Sequence, residues 1–507
     1  METKLKIGFK NFKKFQDFPM IELAPITFLV GPNNSGKSSF IKAFTFLFAN
    51  LDSQKKSKEI LPPFTILPPF THVSFHHNRV ANFEWGDFST TLNRNQETNE
   101  ISFSWELRGT FFCFNFGASK EEILKNPSLS VSLPIKTFTI KNDKLGIVIE
   151  NSRNNNNEWS TVYKIDPKVL QEWLKTSMLW LKKKLKNNAV SRSFESWYRS
   201  GNFSFNAKKE ELFNEYKQAE KSLNENEFND YILFVHNPTT TYYAINQPVK
   251  QNILIDYCNY CVNYIAGRRF GASLISPDFV YIETHNAPHS LAINRNDKNS
   301  FLAQTIADYY SKVPQSSKFH SWVIEWMKKF GIGNDFKINT HFVGEIYTVD
   351  IVKENETMPL GTLGTGGIQL FLLLLKLATI LETIGEDANI VVLIEEPEQN
   401  LHPALQSKLA ELFFDVYDQT NGRVSFVIET HSEYLIRHTQ VMVAKEHYAD
   451  EKTLKKDNPF KVYYFPKEGL PYDMGYQLNG KFIEDFGSGF CDEAYKQAVK
   501  LFEENMK

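Results

Sequence analysis

Cysteine is scarce in this chain: 4 in 507 residues. That is too few for a disulfide framework in a chain of this length. An excess of charge of one sign is also missing. The net charge is −2, so nothing draws the whole molecule toward nucleic acid, and any such contact needs a local basic patch. Long hydrophobic runs are lacking too. The longest, "LFLLLLKLATIL", is interrupted by Lys376 and is too short to cross a bilayer. The opening "METKLKIGFKNFKKF" is charged and has no apolar signal-peptide core. Together these absences predict a soluble cytoplasmic protein with no membrane contact.

The length allows a large core and more than one domain. Near the start stands "PITFLVGPNNSGKSSFIKAFTFLF". Ile26 to Val30 reads as a short buried strand. Gly31-Pro32-Asn33-Asn34-Ser35-Gly36-Lys37-Ser38 matches G-x-x-x-x-G-K-[ST], and Ser39 follows. Helical periodicity then runs through Phe40, Ile41, Phe44, Leu47 and Phe48. Strand, glycine-rich loop and helix form the context that a phosphate-binding loop requires. The glycines let backbone N–H groups turn inward, and the helix start adds a positive dipole end. Lys37 would reach the β- and γ-phosphates, and Ser38 would bind Mg²⁺.

Toward the other end, "NIVVLIEEPEQNLHPALQ" poses a problem. Ile390 to Ile394 is an unbroken apolar run, yet Glu395, Glu396 and Glu398 come directly after it. Charge at a buried strand end is unfavourable unless something offsets it. A phosphate-loop NTPase supplies the offset, because a second strand must end in a carboxylate that serves Mg²⁺. Glu395 sits where that acid belongs, and Glu396 is placed to polarise a water against the γ-phosphate. The loop and the acids lie at opposite ends of the chain, and no N-K-x-D guanine motif follows. A long insertion therefore separates two halves of one site.

Just before the acids, Thr365-Gly366-Gly367 opens an apolar helix. A helix start built of Thr and two glycines is a second anion site by the same physics. It is explained if it caps the γ-phosphate held by another copy of the chain. After the acids come Asn400-Leu401-His402-Pro403 and a helix. A further buried strand, Val424 to Ile428, ends in Glu429-Thr430-His431. A histidine at the end of a parallel strand sits at the ligand-binding edge of an open α/β sheet and suits a γ-phosphate sensor.

The ordered set GPNNSGKSS, LGTGGIQ, VVLIEEPE, NLHP and ETHSEYL resembles the ABC-type ATPase heads of the SMC and RecF group. It is more similar still to the overcoming-lysogenization-defect (OLD) type of prokaryotic anti-phage systems. "LKIGFKNFKKFQDF" resembles that group's N-terminal hairpin, whose "NF" and basic residue lie near adenine. Phe83-Glu84-Trp85-Gly86-Asp87-Phe88 resembles the segment after its first helix. The resemblance implies an α/β ABC-type P-loop NTPase head with a mixed sheet, interrupted by an α-helical insertion. Residues 1–150 would form the N-terminal half of the head, 151–275 the insertion and 276–507 the C-terminal half.

It also implies ATP and Mg²⁺ as cofactors. Gly31 to Ser39 with Lys37 would bind phosphate, and Ser38 and Glu395 the metal. Glu396 would be the catalytic base, His431 the switch histidine, and Thr365 to Gly367 would act in trans within a homodimer or higher oligomer of heads. Two positions depart from the pattern. Glu395 stands where many ABC heads have Asp, and T-G-G-I-Q replaces S-G-G-Q, which displaces Gln369 by one position. Gln96 is the candidate for the Q-loop.

Between about 115 and 280 the pattern loosens. "KNDKLGIVIENSRNNNNEWSTVYKI" reads as a hairpin around an Asn-rich turn. Asp166-Pro167 opens a helix with an apolar face through Leu170, Trp173, Leu174, Met178, Leu181 and Leu185. "AKKEELFNEYKQAEKSLNENEF" reads as a second, charged helix, and neither sustains a long coiled coil. Lys182, Lys183, Lys184 and Lys186, with Arg192 and Arg199 beyond, form a solvated helix end, a nucleic-acid contact or a partner contact. Cys258 and Cys261 have C-x-x-C spacing but no third or fourth ligand near, and read as half-buried helix residues rather than zinc ligands. His285 and His289 read as structural. Near the end, "FKVYYF" is a strand and Asn479-Gly480 a hairpin turn.

OLD-type relatives often continue into a Toprim nuclease, which needs a Glu and a D-x-D motif. No D-x-D follows His431, so no nuclease is expected in this chain. The resemblance is then to stand-alone defence ATPases, Septu-like or retron-associated, that license a separately encoded effector, a nuclease or toxin. A DNA-repair or chromosome-maintenance ATPase acting directly on DNA is the rival reading. A non-hydrolysing scaffold is a third, and Lys37, Glu396 and His431 argue against it.

Overall fold

The structure is a computed structural model. It describes residues 5–54, 72–74, 91–93, 99–130, 132–153, 159–186, 217–218, 232–236, 241–244, 257–258, 260–261, 265, 278–282, 293–294, 301–341, 346–354, 356–386, 388–487, 490 and 493–505. The 83–88 segment, Gln96, Arg192, Arg199, His285, His289, Cys491 and nearly all of the second charged helix lie outside these residues.

Alternating apolar and polar residues build the first sheet. Its strands are Leu5–Phe12 (β1), Phe15–Leu23 (β2), His72–Ser74 (β4), Ile101–Leu107 (β5), Thr110–Phe116 (β6), Ser132–Asn142 (β7), Ile147–Arg153 (β8), Trp159–Ile165 (β9), Ile232–His236 (β10) and Thr241–Ala244 (β11). They run antiparallel in the order β11-β10-β9-β8-β7-β6-β5-β1-β2, with β4 on β7. In β5 and β6 every second residue is buried, as a sheet with one covered face requires. Phenylalanine fills that face. Phe9 stacks on Phe18 with centroids 4.4 Å apart, and Phe12, Phe103 and Phe116 pack around Phe46 of helix α1, Lys37–Gln54.

The sheet crosses residue 150, where the boundary between head and insertion was expected. β8 spans that point, and β9 to β11 continue the sheet. The described part of 151–275 therefore contributes strands as well as helix. A short helix, Lys120–Lys125 (α2), links β6 to β7. As Asp166-Pro167 predicts, α3 runs Pro167–Lys186, and the Asp166 carboxylate accepts the Lys168 N–H at 2.8 Å. Cys258 and Cys261 are fully buried against this sheet beside Tyr257, deeper than the expected half-burial.

The second sheet carries the site. Its strands are Ile26–Val30 (β3), Asp278–Ile282 (β12), Ile390–Glu395 (β17), Val424–Glu429 (β18), Phe460–Tyr464 (β19) and Tyr472–Asp473 (β20), in the order β12-β17-β18-β3-β19-β20. All pairs are parallel except β19 with β20. Every residue of β3 is buried, which explains its unbroken apolar run. β18 lies between β3 and β17, so the phosphate-loop strand and the acidic strand are second neighbours. Their carboxyl ends open on one edge, where parallel sheets bind ligands.

A small third sheet joins Ile293–Asn294 (β13), Asp335–His341 (β14), Ile346–Lys353 (β15) and Glu356–Pro359 (β16). Helices Phe301–Lys312 (α4), Lys318–Phe330 (α5), Thr365–Thr383 (α6) and Pro403–Gln419 (α7) pack in one core with it. Glu433–Lys445 (α8), Glu451–Asp457 (α9) and Glu493–Asn505 (α10) follow. The apolar helix α6 is the only one among the described residues long and apolar enough to cross a membrane, and most of it is buried in this core.

Asp415 clamps α5 to α7. Its Oδ2 accepts both the Trp322 Nε1–H at 2.6 Å and the Trp326 Nε1–H at 2.8 Å. Both indoles are at least nine-tenths buried. Asp415→Ala leaves two buried donors unmet. The expected loss is about 2–4 kcal/mol of stability, read as a lower thermal midpoint with a shifted tryptophan emission.

Candidate nucleotide site

The loop after β3 is shaped by what presses on it. Gly31 has φ +141° and Gly36 φ +108°, conformations that side chains rarely adopt. A Cβ on Gly31 would lie 2.2 Å from the Phe465 carbonyl oxygen, and one on Gly36 would lie 2.5 Å from the Phe15 ring. The loop is thus wedged between the N-terminal hairpin and the chain after β19. Lys14, at the hairpin turn, donates from Nζ to the Ser35 carbonyl at 2.8 Å, the Lys467 carbonyl at 2.8 Å and the Asn34 carbonyl at 3.3 Å. The basic residue of the "NFKK" turn therefore ties three segments together.

Lys37 is buried and donates to the Gly31 and Pro32 carbonyls, both at 3.0 Å. Ser38 is exposed at the rim, and its hydroxyl donates to Glu429 Oε1 at 2.9 Å. The same carboxylate oxygen lies 3.9 Å from Lys37 Nζ. Asn33 and Asn34 are exposed. The Ser35 hydroxyl is buried and makes no hydrogen bond among the described residues.

On the acidic side, Glu395 ends β17 in register with Glu429 of β18. Glu396 has φ +43°, and its N–H is held by the Glu429 carbonyl at 2.7 Å. A non-glycine residue in the left-handed region costs roughly 1 kcal/mol or more. The turn accepts that cost and aims the carboxylate at His431, with Glu396 Oε1 3.5 Å from His431 Nε2. Gln399 Nε2 also donates to Glu396. Glu398 is buried, and its Oε1 accepts the His431 backbone N–H at 2.6 Å.

The start of α6 meets this turn. A Cβ on Gly366 would come 2.3 Å from the Asn400 carbonyl oxygen, so the glycine permits close packing. Asn400, itself at φ +58°, donates from Nδ2 to the buried Gln369 at 3.2 Å. Thr365 and Gly367 stay half-buried, and the N-cap Gly364 provides no side-chain hydrogen bond to the helix start.

A family model described as an AAA ATPase domain matches residues 1–436. The chain belongs to the AAA ATPase domain family. No curated protein matches it in sequence. Among solved structures, an Smc head bound to the C-winged helix domain of ScpA is similar at 12% identity, covering 97% of this chain and 98% of that one, with a TM-score of 0.34. An Smc head with an extended coiled coil bound to the C-terminal domain of ScpA, derived from Pyrococcus furiosus, matches at 12% identity over 100% of both chains, TM-score 0.33. The SMC head domain from Thermotoga maritima matches at 12%, over 94% of this chain and all of that one, TM-score 0.31. Such loose superpositions add no argument, and the family match together with the local geometry carries the assignment.

In this AAA ATPase the structure gathers Lys37, Ser38, Glu395, Glu396 and His431 along one sheet edge. Thr365 to Gly367 join it through Asn400. Sequence reasoning gave no role to three further residues. Glu429 meets Ser38, Glu398 holds the His431 backbone, and Lys14 clamps the loop. Glu429 and Glu398 carried a signal, since acids at buried strand ends need a reason. Lys14 was one of several lysines in a charged hairpin.

A divalent cation fits this donor set. Among the described residues, a ligand atom from each of Glu396, Glu429 and His431 lies within 4.8 Å of the others. The hydroxyl of Ser38 and the carboxylates are the oxygen donors that Mg²⁺ prefers.

Burial is the main influence on the site's titratable groups. It pushes the Lys37 ammonium below its usual value, opposed chiefly by Glu429 and then by Glu396 and Glu398. The Glu398 carboxyl is raised to about 7, mainly by burial. The His431 imidazole is lowered, first by burial and next by Lys37, with Glu396 pulling the other way. Burial and Lys37 thus favour the neutral imidazole. Lys37→Ala removes a lowering charge and Glu396→Gln a raising one. By NMR the His431 midpoint is expected below 6.5 in the native chain, higher in the first variant and lower in the second.

Proposed function

We propose that this AAA ATPase is an ATP-hydrolysing switch in which two copies close around ATP. One observation carries the reading: the strained Glu396 turn sets a carboxylate 3.5 Å from the His431 imidazole at the strand edge beside the phosphate loop. That pair suits activation of a water near a γ-phosphate. Lys37 exchanges its loop carbonyls for phosphate oxygens. Ser38 and Glu395 would hold Mg²⁺, whose charge would offset that of the phosphates. Glu396 takes the proton of the attacking water, and His431 senses the γ-phosphate. The half-exposed start of α6, Thr365 to Gly367, caps the γ-phosphate bound by the second copy.

The open and closed pair then form a two-state switch. Its output is a separately encoded effector, a nuclease or toxin, in prokaryotic anti-phage defence within the cytoplasm. The resemblance of the ordered motifs to stand-alone OLD-like ATPases supports this setting. Strong salt-dependent DNA binding by the isolated protein would favour the rival role in DNA repair or chromosome maintenance.

Light scattering with Mg²⁺, with and without ATP, tests the switch. Glu396→Gln is expected to lose turnover at least ~100-fold while retaining ATP, and to shift to a dimer or larger species when ATP is added. Lys37→Ala is expected to show no shift. Unchanged turnover in Glu396→Gln removes the base. A monomer that persists with ATP removes the role given to Thr365 to Gly367.

A further inference from the structure

The acid in hydrogen-bond contact with the phosphate-loop serine is Glu429, from the strand between β3 and β17. We infer that Glu429 is a cation-binding carboxylate of this site: it orients the Ser38 hydroxyl and joins Ser38 in holding the divalent metal that accompanies the nucleotide. The inference rests on the proposal that the loop binds a metal–nucleotide complex.

Topology makes this placement unavoidable. β18 is hydrogen-bonded to β3 in parallel register, with Glu429 opposite Leu29, and the Thr430 N–H reaches the Leu29 carbonyl at 3.1 Å. The last residue of β18 therefore emerges directly beside the loop. Glu395 emerges one strand further away. A carboxylate that takes the hydroxyl proton of Ser38 leaves the lone pairs of that oxygen facing outward, as a ligand to a hard cation must have them.

A plain ion pair with Lys37 is the competing explanation, and the distances oppose it. Glu429 Oε1 is 2.9 Å from the hydroxyl and 3.9 Å from the ammonium. Lys37 meanwhile donates to two loop carbonyls at 3.0 Å. The carboxylate is thus seated on the serine, and Lys37 is directed into the loop. Glu429 also holds the Glu396 N–H through its own backbone carbonyl, so a cation on its side chain is mechanically connected to the base.

The test compares nucleotide affinity in EDTA with that in excess Mg²⁺, by calorimetry with a non-hydrolysable ATP analogue. The proteins are the wild type, Glu429→Gln, Glu395→Gln and Glu429→Asp. Glu429→Gln keeps an acceptor for Ser38 and removes the charge. It is expected to lower the Mg²⁺-dependent gain by about 10-fold or more and to leave affinity in EDTA equal or tighter. Glu429→Asp keeps the charge and is expected to retain part of the gain, which a merely structural role would not predict. If Glu429→Gln gains as much from Mg²⁺ as the wild type, the inference is overturned while nucleotide binding stands. If the wild type itself gains nothing from Mg²⁺, the parent proposal falls and this one with it.

Discussion

The site depends on one constraint of sheet order: a strand ending in Glu-Thr-His lies between the phosphate-loop strand and the acidic strand. Parallel pairing fixes all three strand ends on one edge to within a residue. The backbone then does much of the positioning. The Glu429 carbonyl holds the Glu396 N–H, and the Leu29 carbonyl holds the Thr430 N–H. Three acids, a lysine and a histidine meet there because the ladder leaves them nowhere else to go. Carboxylate charge gathered at so buried an edge is unfavourable unless a cation offsets it.

Around that edge the chain is braced rather than loosely draped. Phe15 and Phe465 press on the two loop glycines, and Lys14 bonds carbonyls from both sides. One side of the bracing comes from the first sheet, whose phenylalanine-rich face also packs against α1, and the other from the chain after β19. Phe15, Phe18, Phe40 and Phe465 pack ring against ring beside the loop.

Local rules made much of this legible in advance. A strand, a glycine loop and a helix through Phe40 to Phe48 follow from periodicity and motif, as do α6 beginning at Thr365 and a buried strand over Ile390 to Ile394. Asp166-Pro167 marked the start of α3 because a cap and a fixed φ are local properties. What stayed hidden was lateral order. Nothing in "VSFVIETH" says that its strand inserts between two others, so the contact of Glu429 with Ser38 could not be read from spacing. For the same reason a boundary near residue 150 looked natural, although hydrogen bonding carries the sheet on through β9. Buried depth was hidden too, as with Cys258 and Cys261, because sequence spacing marks a face but not what covers it.

The joint between Gly366 and Asn400 links the two ends of the proposed switch. Gly366 allows the α6 start to rest on the turn that follows the acids, with Asn400 reaching back to Gln369. The half-buried start of α6 is thus packed against the turn carrying Glu396 and Glu398. Glu398 in turn grips the His431 backbone through one short hydrogen bond. Under the proposed function, a phosphate at the helix start would act on Glu396 and His431 through these contacts. On that proposal the helix start and the Glu396–His431 pair would respond as one unit, and the free energy of capping a phosphate would be available to align them.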